Sequence, residues 1–292
     1  MQSKNLCLLD KHGARIVVAE LPATVTAIAY SRVVKDVMFC DPEGEYVGRV
    51  SVGDGSVKRW FSRADLGKPS GLCQSGNGTL MYVKTDNEPY FWRFTTENPS
   101  ASMRVLGTSG SNAYLDLNRS GAMEQDKPNG LCFMNNSVYW ASRDRHRIIQ
   151  ATTNSWIKVA YGSGRKGFSM TNNPQVSSLD SPCGLCSDGN RMFVSDTGNG
   201  VVREINGNMM CVAVFGKPGA AKAVDGPRSV AILSKPLDIC CDSERVVFVD
   251  DGILLRQITR LSGEISTIYS SSSRIGGVTR SPAGVYFVED TI

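Results

Sequence analysis

Short apolar runs separated by polar turns recur along the chain. Clear examples are Leu80–Val83, Ser137–Trp140, Arg191–Val194 and Val246–Val249. Runs of this length, bounded by Gly, Asn, Asp and Ser, are typical of β-strands. The pattern therefore predicts many short strands joined by turns.

A six-residue motif precedes each of these runs. Lys68-Pro69-Ser70-Gly71-Leu72-Cys73 recurs at residues 127–132 and 181–186 and, with changes, at 235–240. Each copy is followed by further polar turns and β-rich runs, most clearly Val201–Ile205 and Met210–Phe215 after the third copy. Four short antiparallel strands in each repeat are the blade unit of a β-propeller.

The same pattern continues on both sides of the four copies. Val25–Tyr30 and Asp36–Cys40 indicate a degenerate first blade, whereas the last residues supply two strands, in 275–278 and 284–290. The two missing strands are predicted near the N-terminus, in 5–9 and 14–19. N-terminal strands that complete the C-terminal blade would close the ring and leave no free sheet edge between the first blade and the last.

We therefore expect one all-β domain over residues 1–292, a six-bladed β-propeller of four-stranded antiparallel blades. The predicted blades are 23–67, 68–126, 127–180, 181–234, 235–273, and 274–292 together with 1–22. The order Pro-x-Gly-apolar, Tyr/Phe-Val and Asp-x-Gly-Asn, clearest in Ser181–Ile205, resembles that of NHL-repeat propellers. It is more distantly similar to gluconolactonase-like and strictosidine-synthase-like six-bladed propellers. The resemblance implies a fold and leaves several functions open, because one fold supports many activities.

Composition excludes several other classes of protein. Hydrophobic residues make up 41% of the chain and charged residues 21%, which suits a globular interior. The formal net charge of +4 is too small for binding nucleic acid by bulk charge, so we expect no DNA partner. We find no apolar stretch near the roughly 20 residues of a membrane span and no apolar core of a secretory signal. We expect an intracellular, cytoplasmic protein that is monomeric apart from its partner.

The residues that usually carry catalysis are sparse. Four of the nine cysteines, at positions 73, 132, 186 and 240, share one strand position, where a small apolar side chain packs between blades. Cys183 and Cys186 form a Cys-x-x-Cys pair, but a zinc site needs a second pair at suitable spacing. His12 and His146 are too few for the three-His zinc set of the related amidating lyases, and no Gly-x-Ser-x-Gly motif is present. We expect no enzyme activity, no metal and no cofactor.

Gluconolactonase-like enzymes bind a divalent cation at the channel mouth, partly through residues just before the repeated glycine. Here these channel-mouth positions are Ser70, Asn129, Cys183, Leu237 and Gly276, with Thr26 in the first blade. Of these, Asn129 matches that family's motif, and a hard cation needs several oxygen donors with net negative charge. Asn129 is better interpreted as a turn residue.

Long loops between blades and the turns between second and third strands are expected on one face, which we call the top face. These loops are predicted at 109–126, 162–180 and 216–234. Two basic clusters lie on it, and we take their side chains as candidate partner-binding residues: Arg143, Arg145, His146, Arg147, Arg165 and Lys166.

Three functions follow as hypotheses. The first is a non-catalytic scaffold or assembly subunit that binds mainly protein through the top-face loops. The second is single-stranded RNA binding through the basic top face, since arginine both stacks on bases and pairs with phosphate. The third is a divalent-metal-dependent lactonase or esterase around Asn129.

Overall fold

Six antiparallel sheets follow one another along the chain and form the blades of a propeller. The computed structural model describes residues 3–85, 91–100, 102–105, 128–152, 157–219 and 222–291. Five sheets have four strands and one has five, and the described residues contain no α-helix. The predicted six-bladed architecture is confirmed.

The strands are numbered in chain order and assigned to blades as follows. Blade 1 contains β3 (Ala27–Tyr30), β4 (Val37–Asp41), β5 (Tyr46–Val50) and β6 (Val57–Ser62). Blade 2 contains β7 (Pro69–Gln74), β8 (Leu80–Thr85), β9 (Phe91–Thr95) and β10 (Met103–Val105). Blade 3 contains β11 (Pro128–Met134), β12 (Ser137–Ser142), β13 (Arg147–Thr152) and β14 (Ile157–Tyr161).

The remaining blades complete the ring. Blade 4 contains β15 (Leu185–Ser187), β16 (Arg191–Asp196), β17 (Val201–Asn206) and β18 (Cys211–Phe215), with a 3-10 turn at Thr197–Asn199. Blade 5 contains β20 (Pro236–Cys241), β21 (Arg245–Asp250), β22 (Leu254–Thr259), β23 (Glu264–Ser270) and an added strand, β19 (Gly226–Pro227). Blade 6 contains β24 (Ile275–Ser281), β25 (Gly284–Asp290), β1 (Ser3–Asp10) and β2 (Arg15–Pro22).

Blade 6 is built from both ends of the chain, as the sequence predicts. β1 lies between β25 and β2, and its pairing with β25 runs from Lys4 opposite Asp290 to Asp10 opposite Gly284. Beyond the strands, the Thr291 amide donates to the Ser3 carbonyl at 3.2 Å. The ring is therefore closed by backbone hydrogen bonds between the chain ends.

The second strand of each blade is apolar on both sides because each sheet is packed between two others. β12 is buried along its whole length, and β16 and β21 are buried from their second residue onward. Phe193 of blade 4 packs in one cluster with Ile239 and Phe248 of blade 5. The core is thus a series of interfaces between blades.

The repeated cysteines belong to these interfaces. Cys73 packs in a cluster with Leu131 and Trp140 of the next blade, and Cys186 packs with Ile239 and Phe248. All nine cysteines are free thiols. Cysteine behaves here as a small buried apolar residue, which confirms the predicted packing role.

Candidate functional site

The first strands of the six blades line a central channel. β3, β7, β11, β15, β20 and β24 surround a cavity of about 480 Å³, which extends from the top face to the turns on the opposite face. The lining residues include Gly71, Gly130 and Gly184 and the four repeated cysteines, which are themselves buried: Cys73, Cys132, Cys186 and Cys240. Since each wall strand is fixed by its sheet, the channel is preformed.

The predicted channel-mouth residues are not brought together as one set. Ser70 and Cys183 line the channel, as does Thr26. Leu237 packs against the apolar cluster between blades 5 and 6, and Gly276 does not belong to the described lining. Asn129 lies in β11, and its side chain is outside the described part of the structure.

Asp238 is a channel-wall residue that the sequence analysis did not single out. It takes the place of the repeated glycine in blade 5, and its Oδ2 accepts a hydrogen bond from the Val278 amide of blade 6 at 2.8 Å. Burial raises the pKa of its carboxyl to about 6, although hydrogen bonds from the amides of Val278 and Ile239 oppose the shift. The signal in the sequence is the change from Gly to Asp in the fourth copy of the motif.

Cys183 lies near this carboxyl at the top of the channel. Burial raises the pKa of its thiol to about 11, and the charge of Asp238 adds to the rise, whereas Arg143 and Lys235 oppose it. A thiol with so high a pKa is protonated at neutral pH and is a poor nucleophile. Within the described ranges, no three His, Cys, Asp or Glu side chains are arranged to hold a metal ion.

The structure brings the two basic clusters next to each other on the top face. The guanidinium of Arg147 donates from Nη2 to the Ser163 carbonyl at 3.0 Å, which joins the 143–147 turn to the 162–167 segment. Arg143 and Arg165 are exposed, and Arg145 and His146 are partly buried. The clusters therefore form one surface, as their neighbouring positions in the blade order suggest.

Acidic residues reduce the positive charge of this surface. Asp180 lies 3.3 Å from Lys166 Nζ and 3.9 Å from His146 Nδ1. His146 Nδ1 also accepts a hydrogen bond from the Ser181 amide at 2.9 Å, so the imidazole holds the chain where it enters blade 4. The basic surface is thus interrupted by Asp180 and by Asp144, which is exposed within the 143–147 turn.

Two buried Asp–Arg pairs fix the long top-face loops, and the sequence analysis missed both. In blade 4, Arg203 contacts Asp196 at 2.6 Å, and both side chains are 0% exposed. The same guanidinium donates to the Ser169 carbonyl at 3.0 Å and the Ser178 carbonyl at 2.8 Å. It also lies 4.9 Å from the centre of the Phe168 ring. One side chain thus ties the loop of residues 162–180 to its blade.

Blade 5 repeats the arrangement. Arg256 donates to Asp250 at 2.9 Å, and both side chains are again 0% exposed. It also donates to the carbonyls of Ile232 at 2.6 Å and Val224 at 2.8 Å and to Asp225 at 2.8 Å. The signal in the sequence is an arginine inside an apolar strand, six or seven residues after an aspartate that ends the previous strand.

The predicted loop at 109–126 lies outside the described residues, whereas 162–180 and most of 216–234 are described. No helix in the part of the chain that the structure describes has the length and hydropathy needed to cross a bilayer.

Comparisons with known proteins support the fold. The virginiamycin B lyase from Staphylococcus aureus superposes with a TM-score of 0.57 at 14% identity, and the match covers 99% of this chain and 88% of the lyase. A second structure of that lyase, with quinupristin, is a histidine-to-alanine variant described as catalytically inactive. A chain of a nidogen/laminin complex gives a TM-score of 0.64 at 14% identity, covering 96% of this chain and 98% of that one.

The chain is also similar in sequence to one curated plant protein. It is 23% identical over 269 residues to SUPPRESSOR OF QUENCHING 1, a chloroplastic protein of Arabidopsis thaliana, and the match covers 83% of this chain. The chain spans about 25% of the length of that relative. No family model matches, so the resemblance to NHL-repeat propellers stays a prediction.

Proposed function

We propose that this chain is a non-catalytic propeller that binds another protein through its top-face loops and serves as a scaffold or assembly subunit. The observation that carries the proposal is the pair of buried arginines, Arg203 and Arg256, which fix two long loops from below. A loop that is ordered before binding loses less conformational entropy when a partner docks.

These fixed loops present apolar side chains to solvent. Phe168, Val176 and Val224 are 41%, 54% and 43% exposed. Exposed apolar residues mark a protein-binding surface when they form a contiguous patch, whereas single ones are ordinary. The apolar character supports a protein partner more strongly than a small polar ligand.

The positions of the histidines support a non-catalytic function. His12 lies in the turn between β1 and β2, and His146 holds the Ser181 amide on the top face. Neither histidine belongs to the described lining of the channel. In the similar lyase, a histidine-to-alanine variant is catalytically inactive.

Protein binding is favoured over RNA binding because of the charge of the top face. Asp180 pairs with Lys166 and lies beside His146, so part of the basic surface is neutralised. Phosphate binding depends on uncompensated positive charge. The side chains of Arg143 and Arg165 are exposed, so RNA binding is the alternative that the experiment must test.

Affinity capture from cells, with and without nuclease, tests the proposal. We expect stoichiometric protein to remain after nuclease and to be lost from the double variant Val176→Glu/Val224→Glu. Val57→Glu is the matched control, because Val57 is 41% exposed on an outer strand.

Two results would overturn the proposal. RNA binding would be indicated if nuclease released all bound material and if the same material were lost from a variant with five changes to Ala. The changed residues are Arg143, Arg145, Arg147, Arg165 and Lys166. Turnover of a lactone panel by the purified chain would instead indicate a hydrolase.

A further inference from the structure

The outer side of blade 4 carries a groove next to the top-face loops, which we call the blade-4 edge groove. β18 forms one wall, and the other walls are formed by 170–172, 216–218 and 228–229. Val212 of β18 and Met170 of the neighbouring loop are each 50% exposed. The groove therefore offers apolar surface beside a strand at the edge of a sheet.

β18 ends its sheet without a further strand beside it in the described part of the chain. Blade 5 shows the alternative within the same molecule. There β19 pairs with the outer strand β23, with Gly226 opposite Ile265 and Pro227 opposite Glu264. A short extended segment can thus add to the outer edge of a blade in this fold.

β18 also lacks the charged residues that protect the other outer strands from pairing. Proteins commonly place charges on edge strands because unpaired backbone groups otherwise recruit another strand. β18 reads Cys-Val-Ala-Val-Phe. The other uncovered outer strands, as described, carry at least one charge each: Arg15 and Glu20 in β2, Lys58 and Arg59 in β6, Arg104 in β10 and Lys158 in β14.

Charge indicates what kind of segment fits. Lys217 and Arg228 line the groove, and no acidic residue is found among the described residues that line it. A second copy of this chain would bring two more cations to the same place, which disfavours self-pairing. An acidic segment is the complementary partner.

We infer that the blade-4 edge groove binds an extended segment of a partner protein, in which apolar and acidic residues alternate, as a fifth strand on β18. The apolar side chains would pack on Val212 and Met170, and the acidic ones would face Lys217 and Arg228. Backbone hydrogen bonds would provide affinity and the side chains specificity. This inference rests on the proposed protein-binding function and names its partner chemistry.

A fluorescein-labelled heptapeptide, Val-Glu-Val-Glu-Val-Glu-Val with blocked ends, tests the inference by fluorescence anisotropy. We expect saturable binding, at least tenfold weaker binding by Val212→Glu, and unchanged binding by the control Val57→Glu. The double variant Lys217→Glu/Arg228→Glu is expected to prefer the peptide in which Lys replaces Glu. Hydrogen exchange of residues 210–216 should slow when the peptide is bound.

Several outcomes overturn the inference. These are no saturable binding, an equal loss in Val57→Glu, no slowing of exchange in 210–216, or a dimer in light scattering that Val212→Glu dissociates. Affinity capture separates this failure from failure of the proposed function. If Val212→Glu retains the same stoichiometric proteins after nuclease, the groove is not the binding site but the function stands; if neither chain retains protein, the function itself is wrong.

Discussion

Arg203 and Arg256 show how a single side chain can organise a loop. Each guanidinium is fully buried, faces a buried aspartate and donates to carbonyls of the loop that enters its blade. A buried guanidinium is costly unless its donors are satisfied. Asp196 is correspondingly held in place, although burial raises the pKa of its carboxyl against the opposing effect of Arg203.

Replacing Arg203 with Met is expected to destabilise the fold strongly. The change leaves Asp196 buried without its cation and leaves two loop carbonyls without a donor, so we expect a loss of about 4 kcal/mol in the free energy of unfolding. Urea unfolding at neutral pH measures it. The double variant Asp196→Asn/Arg203→Met should recover part of the loss.

Arg191 provides the control for this prediction. It pairs with Glu204, but its side chain is 49% exposed, so Arg191→Met is expected to cost less than about 1 kcal/mol. If Arg203→Met and Arg191→Met lost equal amounts of unfolding free energy, the buried Asp196–Arg203 pair would not have the stabilising role assigned to it.

At the scale of the strand, the distance between the first strands of neighbouring blades differs from one pair of blades to the next. A Cβ on Gly130 would lie 2.2 Å from the Leu185 amide nitrogen of the next blade. A Cβ on Gly71, at the same position of the repeat, would come no closer than 3.8 Å to Leu131. Packing therefore requires glycine at this motif position in blade 3, whereas the same position in blade 2 has room for a larger side chain.

Gly130→Ala is expected to destabilise the protein by about 3 kcal/mol, because the strand backbone must move to relieve the overlap. Gly71→Ala should change stability by less than about 1 kcal/mol, since its Cβ would make an ordinary contact. Thermal unfolding of both variants gives the comparison. If Gly71→Ala were as unstable as Gly130→Ala, glycine would be required at this motif position whatever its distance from the next blade, and the prediction would be wrong.

At the scale of the whole molecule, blade 6 joins the first and last strands and closes the ring. Ser3 and Thr291 are within hydrogen-bond distance, with the Thr291 hydroxyl donating to the Ser3 carbonyl at 2.8 Å. Closure leaves each blade packed between two others. The channel and the top face depend on this closure because both are formed by blades in sequence around the ring.

A circular permutant tests the closure. Joining the chain ends with a short Gly/Ser linker and opening the chain between Ser272 and Ser273 makes the four strands of blade 6 continuous. We expect native circular dichroism and a melting temperature within about 5 °C of the parent. A chain that begins at residue 23 lacks β1 and β2 and should lose cooperative unfolding, because β25 becomes an exposed apolar edge. Cooperative unfolding of that shortened chain would contradict the role of the terminal strands.

The fold was largely predictable from the sequence, whereas the site was not. Strands recur at regular intervals because their apolar runs and turns are local features, and four copies of one motif reveal the blade. The aspartates that pair with Arg203 and Arg256 are close in the chain. The role of each pair escaped prediction because the loop carbonyls that the arginines also bind lie 24 to 34 positions away. The channel position of Asp238 and the neutralising position of Asp180 likewise depend on how neighbouring blades pack.

The amino-acid sequence by itself determined the blade unit, the number of blades and the pairing of the chain ends, because period-two apolar patterns and turn residues act over short distances. The tertiary structure decided which loops are fixed, which charges are neutralised and which outer strand is covered by an added strand. Many of those contacts join residues far apart in the chain, such as Ser178 with Arg203, 25 positions apart, and Asp225 with Thr267, 42 positions apart. A pattern along the chain does not encode contacts at such separations directly.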